Sequence, residues 1–461
     1  MTVLAAAIVP HPPIILPEVG RGEEQKIQKT IDAYREAARR IAVLNPDTVI
    51  IASPHATLYG DYFHISPGEG AQGGLRQFGI PNLTVTVSYD GEFVQTLSEM
   101  AARRGLPAGT LGEREKALDH GTLIPVRFLQ EQGVTCPMVR IGLSGLSLLE
   151  HYRLGQCIAA AAANLNRRVV FVASGDLSHK LTVEGPYGFA AEGPEFDREV
   201  TEAITGGDFL RLMTFPEDFC EAAAECGLRS FVIMAGALDG RTVQPELLSY
   251  EGTFGVGYAV GIFTVTGSDD SRRFDVSYER QERERLSRIK AQEDVYVRLA
   301  RLSLETYLRT GMYASLPDDL PAELRQRKAG VFVSLKKQGR LRGCIGTILP
   351  VTESVAAEVM RNAVSAGTED PRFDPVTERE LADLTYSVDV LAEPEAIESA
   401  NQLDVKRYGV IVTSGRKRGL LLSNLEGVRT VNEQISIALE KAGIAPGQPY
   451  SLERFEVVRH T

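Results

Sequence analysis

The first 267 residues predict an α/β sandwich with a central, mainly parallel or mixed sheet, and residues 285–461 predict a smaller α+β domain. Three observations carry this reading. Buried-type apolar runs alternate with helical patterns early in the chain; strands and helices are mixed without that alternation later; and a highly charged stretch separates the two.

The elements follow in order. VLAAAIV (3–9) is a continuous apolar run of strand length, and Ile27, Ile31, Tyr34, Ala38 and Ile41 then fall on one helical face. DTVIIAS (47–53) is a second strand, and further apolar runs lie at Leu83 to Val87, Pro137 to Ile141, Val169 to Ala173 and Gly255 to Val265. From Ser268 to Lys290 more than half of the residues are charged, which marks a connector, assigned to 268–284. Opposite charges at helical spacing, Glu279 with Arg283 and Glu284 with Arg288, predict a solvated helix there rather than a flexible linker. Beyond it, Val295, Leu299 and Leu302 mark a helix that Gly311 can end. VFVSLKK, YSVDVLA, YGVIVTS, GLLLS and FEVVRH read as strands, with helices near 352–366 and 431–442.

Composition excludes several classes. The chain has 461 residues, enough for two cores, with 43% hydrophobic and 24% charged residues and no apolar run of membrane-spanning length. Its formal net charge of -11 opposes attraction to nucleic acid or anionic membranes. Five cysteines without paired spacing indicate reduced thiols, and the N-terminus has no basic region before its apolar run, so a cytoplasmic location is expected. GLSGL at 142–146 lacks the final glycine of a nucleophile elbow, and there is no Walker A sequence.

The chemistry is carried by histidines at strand ends. His11 follows the first strand in IVPHPP, His55 follows the second in IIASPH, and His179 follows a later one in VVFVASGDLSH. In α/β folds the carboxyl ends of strands converge on the ligand crevice, so the three are expected in one cleft. Pro10, Pro12, Pro13 and Pro54 stiffen the loops that hold them. An anionic ligand is expected beside them, and Glu251 is preferred over Glu246, which reads as part of a polar turn after Pro245. Two imidazoles and a carboxylate suit ferrous iron with positions open for substrate and dioxygen. The alternative is zinc on His11, His55 and His179, activating water for hydrolysis. His120 is either a contact to substrate or oxygen oriented by Asp119, or the start of a helix capped by Asp119 or Thr122. Asp176 can orient His179 or belong to a turn.

HPP near the start, SPH, DHGTLIPVRFL and SGDLSHKL resemble the class III extradiol dioxygenase catalytic subunits and their Memo-like relatives. That resemblance implies His11, His55 and Glu251 as iron ligands and His179 as the acid/base residue, acting on a catechol-like or aminophenol-like ring with dioxygen. Some Memo-like proteins carry a cysteine in place of the carboxylate. They imply the rival reading, a metal-binding or redox assembly protein without ring cleavage, with copper or zinc as alternative ions. Cys220 and Cys226 lie in CEAAAEC, where burial in a helix is the expected role.

LRGCIG (341–346), with EDPRFDPVTEREL and RGLLLSNLEG, resembles the AMMECR-type domain over most of 285–461. Gly343 and Gly346 permit a tight bend or a close backbone approach, and Arg342, Cys344 and Arg372 form a candidate site for a small anion, with packing the expected role of Cys344. The two domains together are similar to fused proteins of the AmmeMemoRadiSam system, which implies a radical SAM protein as partner. Association of the chain into a homo-oligomer is a further expectation.

Overall fold

A computed structural model describes residues 2–425 and 427–461; Met1 and Glu426, the latter within RGLLLSNLEG, lie outside the described residues. The chain forms two compact units that divide between Arg280 and Gln281. The division falls inside a helix, Phe274–Gln292, which buries no side chain. Its Glu279 pairs with Arg153 at 2.6 Å rather than with Arg283, and Arg285 pairs with Glu282.

The first unit is built on β1 (Val3–Val9), β2 (Thr48–Ser53), β3 (Met138–Gly142), β4 (Val169–Ser174), β5 (Arg241–Glu251) and β6 (Tyr258–Ser268). They form one sheet in the order β3-β2-β4-β1-β6-β5. The first four are mutually parallel, and β6 and β5 extend the sheet as an antiparallel hairpin. Parallel strands are covered on both faces, which is why their sequences are continuously apolar. Ala6, Ile8, Ile50, Phe171 and Ala173 face one layer, where α3 (Leu148–Asn164) and α4 (Leu228–Ala237) pack. Ala7, Val9, Val49, Ile51, Val170 and Val172 face the other, against α1 (Gln28–Leu44) and α2 (His120–Glu131).

The helix expected after β1 is present, with Ile31, Tyr34, Ala38 and Ile41 buried, while Ile27 precedes it in a 3-10 turn. The run at Leu83 to Val87 is a strand, but it lies outside the main sheet: Ile80–Ser88 pairs only with Gly70–Leu75 as a two-stranded ribbon. Its alternating burial, one face exposed, fits a ribbon better than a central strand.

The second unit contains β7 (Val331–Lys337), β8 (Arg340–Gly346), β9 (Leu384–Leu391), β10 (Tyr408–Ser414), β11 (Lys417–Leu421) and β12 (Ser451–His460). They run antiparallel in the order β8-β7-β9-β12-β10-β11, and Glu395–Ile397 also pairs with β12. Helices Val295–Thr310 and Val355–Thr368 cover Val331, Val333, Leu335, Val388 and Val390. Gly311 ends the first of these helices in the left-handed conformation, φ 73°.

LRGCIG lies in strand β8, not in a bend. Its glycines serve close approach: a Cβ at Gly343 would stand 2.1 Å from the Ala366 carbonyl oxygen, and one at Gly346 would stand 2.2 Å from the Phe332 ring.

Candidate metal centre

The carboxyl ends of β1, β2 and β4 deliver three histidines and an aspartate to one crevice. His11 lies two residues beyond β1, His55 two beyond β2, and Asp176 and His179 follow β4. His11 and His55 meet with their Nε2 atoms 3.0 Å apart. His120, the first residue of α2, stacks obliquely on His55 with ring centroids 4.1 Å apart and lies edge-on to His11 at 5.4 Å.

The third ligand-type atom belongs to Cys226. Its Sγ lies 3.7 Å from His11 Nε2. Among the described residues, His11, His55 and Cys226 form a group whose ligand atoms all lie within 4.8 Å of one another. Glu251, the carboxylate expected there, is engaged elsewhere: its Oε2 accepts hydrogen bonds from the Thr30 backbone N–H (2.8 Å) and hydroxyl (2.7 Å). It thus caps the first turn of α1 from a distant strand. Glu246, the competitor, pairs with Arg40 at 2.6 Å. His179 is not in the three-residue group either, so the expected three-histidine zinc set does not form.

Cys226 escaped sequence reasoning because CEAAAEC reads as one helix. The helix instead stops at Ala223, Ala224 is left-handed (φ 53°), and Cys226 sits in the short link before α4. There the chain presses against the loop after β4: a Cβ at Gly175 would stand 2.1 Å from the Gly227 Cα. The pair of glycines lets the two backbones touch, and Cys226 is carried into the crevice with Asp176. The available signal was the glycine immediately after Cys226, at the entry to a strongly apolar helix.

The surrounding hydrogen bonds fix the imidazoles. Ser174 Oγ donates to the Gly121 carbonyl at 2.6 Å, so toward His11 Nδ1, 2.9 Å away, it acts as acceptor. The His11 proton is therefore on Nδ1, and its Nε2 presents a lone pair to the crevice. Likewise His179 Nδ1 lies 2.5 Å from the Ala224 carbonyl, which only accepts, so its Nε2 is also free. Burial lowers the basicity of all four imidazoles; His11 is held well below its ordinary value, with His55, His120 and His179 adding to the effect, and His120 is lowered to about 4. All are neutral near pH 7, the state a metal ligand or a general base requires.

Asp119 takes the capping role, and Asp176 serves another partner than His179. Asp119 caps α2: its carboxylate accepts from the Thr122 N–H and hydroxyl and from Ser53 Oγ, and not from the His120 ring. Asp176 accepts from the His11 backbone N–H at 2.8 Å and is not paired with His179. Its own N–H points to Cys226 Sγ at 3.3 Å, and burial raises its carboxyl to about 7. Asp176 therefore anchors the loops of His11 and Cys226 to each other.

The donor set fits a cation. The His11 Nε2 lone pair faces His55 Nε2 at 3.0 Å, so either a His55 proton or a cation lies between them. Burial, Asp176 and Glu225 raise the Cys226 thiol well above its ordinary value, so its thiolate needs a positive partner.

In the second unit the guanidinium groups do not converge on an anion. Arg342 is bound to Glu380 (3.0 and 3.2 Å) and to the Asp374 carbonyl. Arg372 is bound to Asp370 (2.9 and 2.7 Å) and to the Cys344 carbonyl. Ser334 Oγ donates to Cys344 Sγ at 3.2 Å, and burial raises that thiol. These are structural contacts, and the candidate anion site is replaced by two internal ion pairs.

Residues 5–261 match the family described as the catalytic LigB subunit of aromatic ring-opening dioxygenase, and the chain belongs to that family. Residues 297–460 match AMMECR1. A protein of Clostridium acetobutylicum is 43% identical over 461 residues, 98% of each chain. One of Thermotoga maritima is 46% identical over 170 residues, covering 36% of this chain and 98% of its own. Among solved structures, an uncharacterized protein from Pyrococcus horikoshii is 34% identical, with TM-score 0.34, covering 36% of this chain and 88% of that one. An uncharacterized protein from Escherichia coli K12 is 15% identical, with TM-score 0.39, covering 56% and 99%. No helix among the described residues is long and apolar enough to cross a membrane.

Proposed function

We propose that the first unit is a metal-dependent oxidoreductase acting on a catechol-like or aminophenol-like ring, with the ion held by His11, His55 and Cys226. The observation that carries this reading is the neutral His179 with its Nε2 unengaged beside a two-histidine, one-cysteine ligand set. Ferrous iron bound there supplies a site at which a deprotonated diol and dioxygen can exchange electrons. The chain supplies the proton handling. His179 Nε2 accepts a phenolic proton, and its Nδ1–H, held on the Ala224 carbonyl, fixes the tautomer of the neutral ring and the orientation of the imidazolium that forms. His120, uncharged and stacked on His55, closes one side of the crevice with an apolar ring face.

A second reading is favoured by one observation, the thiol at Cys226. A soft sulfur ligand in place of a carboxylate suits copper(I) as well as iron, and supports a metal-binding redox protein without ring cleavage. Anaerobic loading with ferrous iron, followed by oxygen-uptake measurements with catechols and aminophenols, separates the two. Substrate-dependent uptake with a ring-opened product supports the oxidoreductase. Tight copper(I) binding with no uptake from the iron form supports the second reading. We further propose, from the resemblance of the two fused domains to the AmmeMemoRadiSam system alone, that a radical SAM protein is a partner.

A further inference from the structure

The ligand cluster is flanked by two aromatic rings that proton handling does not use. Phe78 stands edge-on to His120, centroids 5.5 Å apart. Tyr187 stands edge-on to His179, centroids 5.2 Å apart and planes at 85°. Tyr187 is 62% exposed, unusual for a large ring packed on a candidate base.

Its loop is nevertheless anchored. Leu181 N–H donates to the Gly255 carbonyl and Ala190 N–H to the Lys180 carbonyl, and Leu181 forms a bridge with Phe189. Gly185 packs so closely on Gly255 that a Cβ at Gly255 would stand 2.8 Å from its Cα. An exposed aromatic on an anchored loop is preorganised for a ligand, because little ordering entropy remains to be lost on binding.

We propose that Tyr187 is a substrate-contacting residue that, with Phe78, offers aromatic faces against which a planar phenolic ring lies. The proposal rests on the oxidoreductase reading above.

The test uses the iron-loaded full chain without oxygen, with calorimetric titration of catechol. Expected are weakening of catechol binding by about 3- to 10-fold in Tyr187→Ala, retention within about 2-fold in Tyr187→Phe, and iron content equal to that of the wild type in both. Unchanged catechol affinity in Tyr187→Ala overturns the proposal while leaving the oxidoreductase reading intact. Loss of iron in Tyr187→Ala also overturns it, by showing a structural role. Absence of any saturable catechol binding by the iron-loaded wild type overturns both.

Discussion

Cys226 Sγ lies 3.7 Å from His11 Nε2, across 215 positions of chain. One residue follows the first strand by two positions and the other precedes a late helix, and the contact between Gly175 and Gly227 brings them together. The donor set of the centre is therefore decided by a helix entry rather than by the strand pair that carries Glu251.

Replacing Cys226 by Ala should weaken ferrous iron or copper(I) binding at least about 10-fold, as loss of a ligand does. Glu251→Ala should leave the ion bound. Competition titration against a chromophoric chelator reads both. Loss of metal in Glu251→Ala with none in Cys226→Ala would restore Glu251 as a ligand and remove Cys226.

Glu251→Gln should instead destabilise the first unit by roughly 1–2 kcal/mol, because it weakens a charged cap at the first turn of α1. Hydrogen exchange at residues 28–32 should rise while exchange in the second unit is unaffected.

Ser174→Ala removes the acceptor that holds the His11 proton on Nδ1. Metal affinity should fall about 10- to 100-fold, the range for lost ligand-orienting bonds. An unaltered affinity would show that packing alone orients the ring.

His179→Gln should keep the metal and lower turnover by about two to four orders of magnitude. In the wild type, burial lowers the His179 pKa, so protonation of the free Nε2 begins only below its ordinary value of 6.5. The acid limb of kcat/KM should accordingly lie below pH 6.5 and vanish in the variant.

In the second unit, the Arg372 guanidinium, with N–H groups of Cys344 and Arg372, holds the Asp370 carboxyl down to about 2. A depressed carboxylate contributes stability above its unfolded pKa and loses it as pH falls, here between about 4 and about 2. Asp370→Asn should cost about 1–2 kcal/mol at pH 7, with the difference from wild type shrinking toward pH 2. Denaturant unfolding at both pH values measures it.

Much of this was legible in the chain. The continuous apolar runs announced a two-face-covered sheet, and the placement of His11, His55 and His179 after strands put them at its carboxyl ends, where the structure gathers them. What periodicity could not show was where an Ala-rich segment stops being helical. Ala223, Ala224 and Glu225 carry no breaker, and the left-handed turn at Ala224 is imposed by packing of the next helix against Gly175. Of the carboxylates, Asp119 takes the capping alternative the sequence offered, whereas Asp176 and Glu251 were expected at His179 and at the metal. The backbone N–H groups of His11 and Thr30, brought close only by the fold, took them.

An ion bound between His11, His55 and Cys226 would also act as a reversible cross-link. It would close chain segments of 44 and 215 residues, joining the first strand to the last helix before the hairpin. Such a staple removes conformations from the unfolded chain, and the stability it adds grows with the logarithm of ion concentration over dissociation constant. The first unit would then gain proteolytic resistance as the metal supply rises, while the second would not register it.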